Sequence, residues 1–419
     1  MANKNNPGLG IQIEKQAGLA FLKDTVLPHP RPLSFREGPG VRCFAAKSVA
    51  CGTLRAGQAL PMAIQKTTIE TFLPLAQANL VLDVRSPGEY AHAHLPGAVN
   101  MPLFSDEERK IVGTAYKQQS RETAIKIGLD FFGPKMRGMV ECVEQLTTPP
   151  ASKNTSEANA SGKKAVLVHC WRGGMRSAGV AWLLDLYGFK VYTLKGGYKA
   201  YRAWVLARFL ETYNFQVIGG YTGSGKTLLL HALAAQGHAI IDLEALASHK
   251  GSALGGIGQA PQPSQEMFEN RLAGALARAT GQNPAATVYL EDESQRIGNM
   301  QVPMSLWRTM QASHVYFMDI PFEQRLDFLT QEYGLLPKEQ LVNAIIRIQK
   351  RLGGLETKNA INYLLENNHK ESFRILLKYY DKWYAKGLHG RANAENLIKT
   401  ITSPHVDARQ NAALLQPYL

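Results

Sequence analysis

The stretch "FQVIGGYTGSGKTLLLHALAAQ" (215–236) limits the possible folds of this chain more than any other. An apolar run ends in glycine, a G-x4-GK[ST] loop follows, and a helical pattern begins at once. Such a loop works only where a strand delivers it to a helix N-terminus, because there the backbone N–H groups converge and the helix dipole favours an anion. Gly220, Gly223 and Gly225, with Ser224 between them, let the backbone approach a phosphate closely. Lys226 supplies a point charge, and Thr227 would hold a magnesium ion where one is used. An acidic partner is expected at the end of a neighbouring strand, with Asp242, Glu291 and Asp292 as candidates. The motif specifies phosphate; it does not specify ATP.

The surrounding sequence fits that frame. "FQVIGG" (215–220), "HAIIDLE" (238–244), "TVYLEDE" (287–293) and "HVYFMDI" (314–320) read as strands spaced by helical patterns, which implies a parallel sheet covered on both faces. Upstream, "LVLDV" (80–84), "AVLVHC" (165–170) and "KVYTL" (190–194) form a second α/β series. The expected fold class is therefore α/β: a parallel-sheet domain over 62–212, a phosphate-loop domain over 213–335, and a helical C-terminal region over 336–419. "TTPPASKNTSEANASGKK" (147–164) reads as an exposed polar insertion. Residues 1–61 carry Pro and Gly clusters without a sustained hydrophobic period. They read as a disordered leader, or as a translated upstream region with the true start at Met62.

The net charge of +13 favours a polyanionic partner. Cys43, Cys51, Cys142 and Cys170 have neither CxxC nor zinc-knuckle spacing. No structural zinc site is therefore expected, and the reducing cytoplasm is the expected compartment. No apolar run approaches membrane-spanning length.

Cys170 lies in "VLVHCWRGGMRSAGVAW" (166–182), at the tip of a strand and before a helical pattern. A thiol beside convergent N–H groups, flanked by Arg172 and Arg176, has a depressed pKa and serves as a nucleophile or carries a transferred atom. A structural cysteine would sit among apolar neighbours, which the arginines and paired glycines argue against. HC-x5-RS matches the loop of cysteine phosphatases. The flanks, however, resemble the rhodanese family: "LDVRSPGEYAHAHLPGAVN" (82–100), in which Asp83 and Arg85 brace the loop, and "LKGGYKAYRAW" (194–204). Typical rhodaneses place Arg or Thr five residues after the cysteine. Here that residue is Met175 and the arginine is Arg176, so the loop is one residue longer. The nest is correspondingly wider and suits a tetrahedral anion.

A rhodanese-like domain followed by a phosphate-loop domain resembles the tRNA 2-selenouridine synthase family. "ERKIVGTAYKQ" (108–118), "HKGSALGGIG" (249–258), "QPSQEMFENRL" (262–272), "EDESQRIG" (291–298) and "RLGG" (351–354) carry the same resemblance. It implies conversion of wobble 2-thiouridine in tRNA to 2-selenouridine through an S-geranyl intermediate, with geranyl diphosphate and selenophosphate as co-substrates. Phe268 and the segment 249–272 are candidates for the prenyl pocket. In "HKESFRILLKYYDKWYAKGLHGR" (369–391), Lys378, Tyr379, Lys382, Trp383 and Lys386 interleave cations with aromatics. They are candidate contacts to the tRNA anticodon loop. A phosphatase fused to a nucleotide kinase is the alternative reading.

Overall fold

In the computed structural model the described residues are 64–148, 164–281 and 283–419. The proposed leader and nearly all of the polar insertion lie outside them.

Two parallel five-stranded sheets organise the chain. The first contains β1 (Ile64–Thr67), β2 (Leu80–Asp83), β3 (Val99–Asn100), β4 (Ala165–His169) and β5 (Lys190–Leu194), in the order β1-β5-β4-β2-β3. The second contains β6 (Asn214–Gly220), β7 (Ala239–Ile241) and β8 (Thr287–Glu291). After a hairpin of β9 (Arg296–Ile297) and β10 (Met300–Gln301), β11 (His314–Asp319) and β12 (Ile398–Thr402) complete it in the order β12-β11-β6-β8-β7. Val166–Val168 of β4 and Val217–Gly220 of β6 are buried without interruption, as strands covered on both faces require.

The C-terminal region is helical, with long helices at Lys338–Leu352, Gly354–Leu365 and His369–His389. It also adds what its helical pattern did not announce. β12 returns to pair with β11, in register from Val315–Ile398 to Asp319–Thr402, and the helix Ala408–Leu415 follows. The chain end thus closes the sheet that carries the phosphate loop. Among the described residues no helix is long and apolar enough to cross a membrane.

The helix Gln265–Thr280 ties the sheets together. Its Met267, Phe268, Leu272 and Leu276 share one buried cluster with Leu167, Leu194, Tyr198, Tyr201 and Val205 of the first α/β unit. Polar contacts reinforce that joint: Asn270 Nδ2 donates to the His94 carbonyl at 2.9 Å, and Arg202 pairs with Glu269 at 2.5 Å.

Candidate functional sites: a cysteine nest and a phosphate loop with an apolar cavity

β4 ends at His169 and the helix Met175–Tyr187 begins five residues after Cys170, so the thiol is set at the strand tip. The loop rests directly on the start of the helix Gly197–Arg208. Tyr198 and Lys199 donate their N–H groups to the carbonyls of Cys170 and Trp171, at 2.8 and 3.0 Å. A side chain at Gly197 would lie 2.3 Å from the Cys170 oxygen, so only glycine permits this approach.

Cys170 is 3% exposed, and its Sγ lies 3.3 Å from Ser177 Oγ. Burial opposes ionisation, but the Ser177 hydroxyl and N–H, the Arg176 charge and the Arg172 N–H outweigh it, and the thiol pKa falls below its ordinary value. Arg172 contributes its backbone N–H to this effect, and its side chain is exposed. Arg176 is held by Glu89 at 2.7 Å, which also pairs with Arg109 at 3.0 Å.

Asp83 and Arg85 are both fully buried and joined at 2.6 Å. Arg85 also donates to the Ala93 carbonyl at 2.8 Å. Its guanidinium lies 3.8 Å from the ring centre of Tyr198 and 5.9 Å from that of Trp171, so the ion pair reaches the cysteine loop through those two rings. His169 is buried with neither ring nitrogen hydrogen-bonded, and burial holds it neutral.

In the second unit β6 ends at Gly220, and the helix Lys226–Ala235 starts with Gly225 as its N-cap, in the left-handed region at φ +72°. Gly223, Ser224, Gly225, Lys226 and Thr227 line a cavity of about 850 Å³. Gly220 sits behind them: its carbonyl accepts from Lys226 Nζ at 3.1 Å, and its N–H donates to Tyr384 Oη at 3.0 Å. Ser224 Oγ is buried without a partner, a polar atom available to an incoming anion. The same cavity is also lined by Phe328, Leu329, Tyr333, Phe373, Leu377 and Tyr380, with Lys250, Gln259, Gln311 and Glu332 among its polar residues, and Leu329 lies directly against Gly223 of the loop.

Of the three acidic candidates Asp242 and Asp292 line the same cavity, while the carboxylate that Thr227 itself meets is Glu244. Thr227 Oγ1 donates to Glu244 Oε2 at 3.0 Å. Asp242 is committed elsewhere: it caps the helix Leu243–Ala247 through the Ala245 N–H at 2.7 Å and accepts from His231 at 2.8 Å. Glu291 is wholly buried; one oxygen accepts the Leu243 N–H and the other has no partner. Burial and the nearby Asp242 and Glu244 charges push its pKa well above the ordinary glutamate value. Asp292 accepts from Tyr384 Oη at 2.7 Å and pairs with Arg391, forming a buried brace behind the loop. Glu293 joins Glu244 instead. Burial and the Glu244 charge push its pKa up to about 8.

Phe268 does not line the cavity; it lies in the core shared by the two units. Of the segment 249–272, Lys250, Gly251, Ser252, Leu254 and Gln259 do line it. The aromatics of the helix His369–His389 divide. Tyr384 points to the phosphate loop and Tyr380 accepts the Ala253 N–H at 3.0 Å. Lys378, Lys382, Trp383 and Lys386 are exposed, with Tyr379 beside them and Trp383 and Lys386 at the cavity rim.

Comparison with known proteins places the chain. The family model described as "tRNA 2-selenouridine synthase AAA domain" matches residues 213–406, and a rhodanese-like domain model matches 73–203. Over 335 residues the chain is 35% identical to the tRNA 2-selenouridine synthase of Hydrogenovibrio crunogenus, covering 73% of this chain and 88% of that protein. It is 38% identical over 271 residues to the synthase of Nitrosomonas europaea, covering 63% of this chain and 66% of that protein. The chain belongs to the tRNA 2-selenouridine synthase family. At the level of family, this decides against the phosphatase–kinase alternative. It also gives the synthase-like motif "EDESQRIG" a local meaning, since Asp292 braces the loop and Glu293 meets Glu244.

Proposed function

We propose that this protein converts 2-thiouridine at the tRNA wobble position to 2-selenouridine through an S-geranyl intermediate, acting in the cytoplasm with geranyl diphosphate and selenophosphate. The observation that carries this reading is the continuity of the phosphate loop with an apolar cavity of about 850 Å³. That volume lies within the roughly 300–1,000 Å³ range of small-molecule sites. A nucleotide needs polar partners for its base; a prenyl diphosphate needs an anion cradle joined to an apolar slot. Burying the prenyl chain contributes up to ~0.8 kcal/mol per methylene.

In the first step the thiocarbonyl sulfur attacks C1 of geranyl diphosphate, the C–S bond forms, the C–O bond breaks as diphosphate departs, and the N3–H proton of the base passes to solvent. Lys226 and the loop N–H groups hold the charge of the departing diphosphate, an electrostatic effect that grows as the bond breaks. Thr227 and Glu244 offer the hard oxygen donors that magnesium prefers beside a diphosphate. A magnesium ion bound there would neutralise part of the diphosphate charge.

In the second step the nest around Cys170 holds selenophosphate. The thiolate attacks phosphorus, the S–P bond forms, the P–Se bond breaks, and selenide leaves. Selenide then displaces geranyl thiolate from C2 of the base, and water hydrolyses the S–P bond. The exposed Lys378, Lys382, Trp383 and Lys386, the last two at the cavity rim, are proposed RNA contacts, with Tyr379. Nucleoside mass spectrometry of 2-thiouridine tRNA incubated with the protein and both co-substrates tests the reading. Recovery of unchanged 2-thiouridine alone would overturn it.

A further inference from the structure

Beside the phosphate-loop cavity lies a second cleft of about 1000 Å³ that the proposed chemistry has not used. The two adjoin along Gly251, Ser252, Gln259, Ser294 and Tyr380, which line both. One wall is the end of the helix Lys338–Leu352, where Arg347, Lys350 and Arg351 recur at spacings of three and four and so share a face. The other wall is the β9–β10 hairpin, which contributes Arg296. Tyr379 and His249 also line it.

The charge of this cleft is one-sided. Its lining contains these four cations and no Asp or Glu. Among the described residues none of the four forms an ion pair; Arg347 and Arg296 reach only the carbonyls of Ala253 and Gly298, at 3.3 and 2.9 Å. Two of the cations sit in the last helical turn, where they also offset the helix dipole. That accounts for neither Arg347 nor Arg296, which faces them from a different element.

The walls are held in place. Gln262 donates to the carbonyls of Ala247 and Ile297 at 3.0 and 3.2 Å and accepts the Asn299 N–H at 2.8 Å, locking the hairpin to the segment before the helix Gln265–Thr280. His249 Nδ1 is buried without a partner, and burial together with the Arg347 charge keeps the ring neutral. A neutral imidazole and the Tyr379 ring offer flat surfaces between cations, the combination that accommodates a stacked, single-stranded polyanion.

We infer that this cleft holds the phosphodiester backbone of the single-stranded tRNA loop, so that the target base crosses the shared Ser252–Tyr380 boundary into the phosphate-loop cavity. The inference rests on the proposed function and locates its macromolecular substrate. A cleft open to solvent, cationic on two walls and adjoining the prenyl cavity suits a strand that must present one base while its backbone stays outside.

The test uses the full chain and a fluorescently labelled RNA stem–loop with 2-thiouridine in its loop, followed by anisotropy across a salt series. Lys350→Glu with Arg351→Glu should weaken binding on the order of tenfold or more and reduce the salt slope by roughly 1.4, about 0.7 for each single-strand phosphate no longer neutralised. Arg296→Ala on the opposite wall, away from that helix, should weaken binding several-fold and guards against a local folding defect. Lys110→Glu with Lys117→Glu makes the same change in net charge on the exposed face of Asp106–Gln118 and should leave binding near wild type. Unchanged binding in the cleft variants, or an equal loss in the Lys110/Lys117 control, overturns the cleft as the site. If wild type still forms selenouridine in that case, only the location is wrong; if wild type neither binds nor modifies the RNA, the functional reading fails as well.

Discussion

The guanidinium of Arg85 lies 3.8 Å from the ring centre of Tyr198, and that one tyrosine connects the cysteine nest to the second α/β unit. Its N–H donates to the Cys170 carbonyl at 2.8 Å. Its hydroxyl donates to Glu266 at 2.7 Å and accepts from Asn270 at 2.8 Å, both on the helix Gln265–Thr280. Tyr198→Phe keeps the ring under Arg85 but leaves two polar groups without this partner, and should lower unfolding free energy by about 1–3 kcal/mol. Tyr198→Ala also opens a cavity and exposes Arg85, and should cost about 3–5 kcal/mol. Urea denaturation distinguishes the two; equal losses would show that the ring contact is immaterial.

Ser177 sets its hydroxyl 3.3 Å from the Cys170 sulfur. Ser177→Ala removes the hydroxyl at 3.3 Å that favours the thiolate, so the pH profile of Cys170 alkylation should move to higher pH. An unmoved profile would assign the ionisation to the backbone and Arg176 alone.

Cys170→Ser keeps the size of the side chain and loses the soft, low-pKa nucleophile. Selenium incorporation should stop, while geranylation, which uses the other site, continues. Nucleoside mass spectrometry scores both products in one sample, and normal selenouridine formation would make the thiol a bystander.

Lys226→Ala should lower geranyl transfer about 10²–10³-fold, the usual loss when one group stabilising transition-state charge is removed. Selenation of RNA that already carries the geranyl group should be spared. Equal loss on that pre-formed intermediate would rule out a dedicated diphosphate role for the loop.

Glu293 supplies a pH test. Its folded pKa of about 8 lies above the ordinary glutamate value of 4.5, so the folded state retains a proton that the unfolded chain releases. The stability this group contributes is complete below pH 4.5 and declines as pH rises toward 8. Glu293→Gln mimics the protonated form and should be the more stable protein at pH 8, with the gap closing toward pH 5. Parallel melting curves for the two proteins across this range would remove Glu293 from the account.

The sequence was most informative where one local rule governs. Buried parallel strands read as apolar runs, and the edges of β4, β5, β6 and β8 fall within a few residues of the expected ones. The phosphate loop and the Cys170 loop were legible because glycines and a charged residue at fixed spacing have a steric and electrostatic reason to occur together. Glu244 was not legible. Asp242 precedes a short helix and is its N-cap, and helix capping makes the first acidic residue after a strand the less available ligand. Tyr384 reaches Gly220 from 164 positions away and Arg391 reaches Asp292 from 99, contacts that no periodicity encodes. β12 was hidden by its length, since five residues between helices carry little signal of their own.

The helix Gln265–Thr280 buries Phe268 and Leu272 in a core that also contains Tyr201 and Val205 of the rhodanese-like unit. Neither unit, separated near residue 213, would retain the partner surface that keeps this core dry. Expressed apart, the halves would present sticky apolar faces and tend to aggregate. The intact chain should instead melt in a single cooperative transition. Exchanging one half between relatives would therefore require exchanging the helix together with the surface that receives it, so the two chemistries are inherited as one piece.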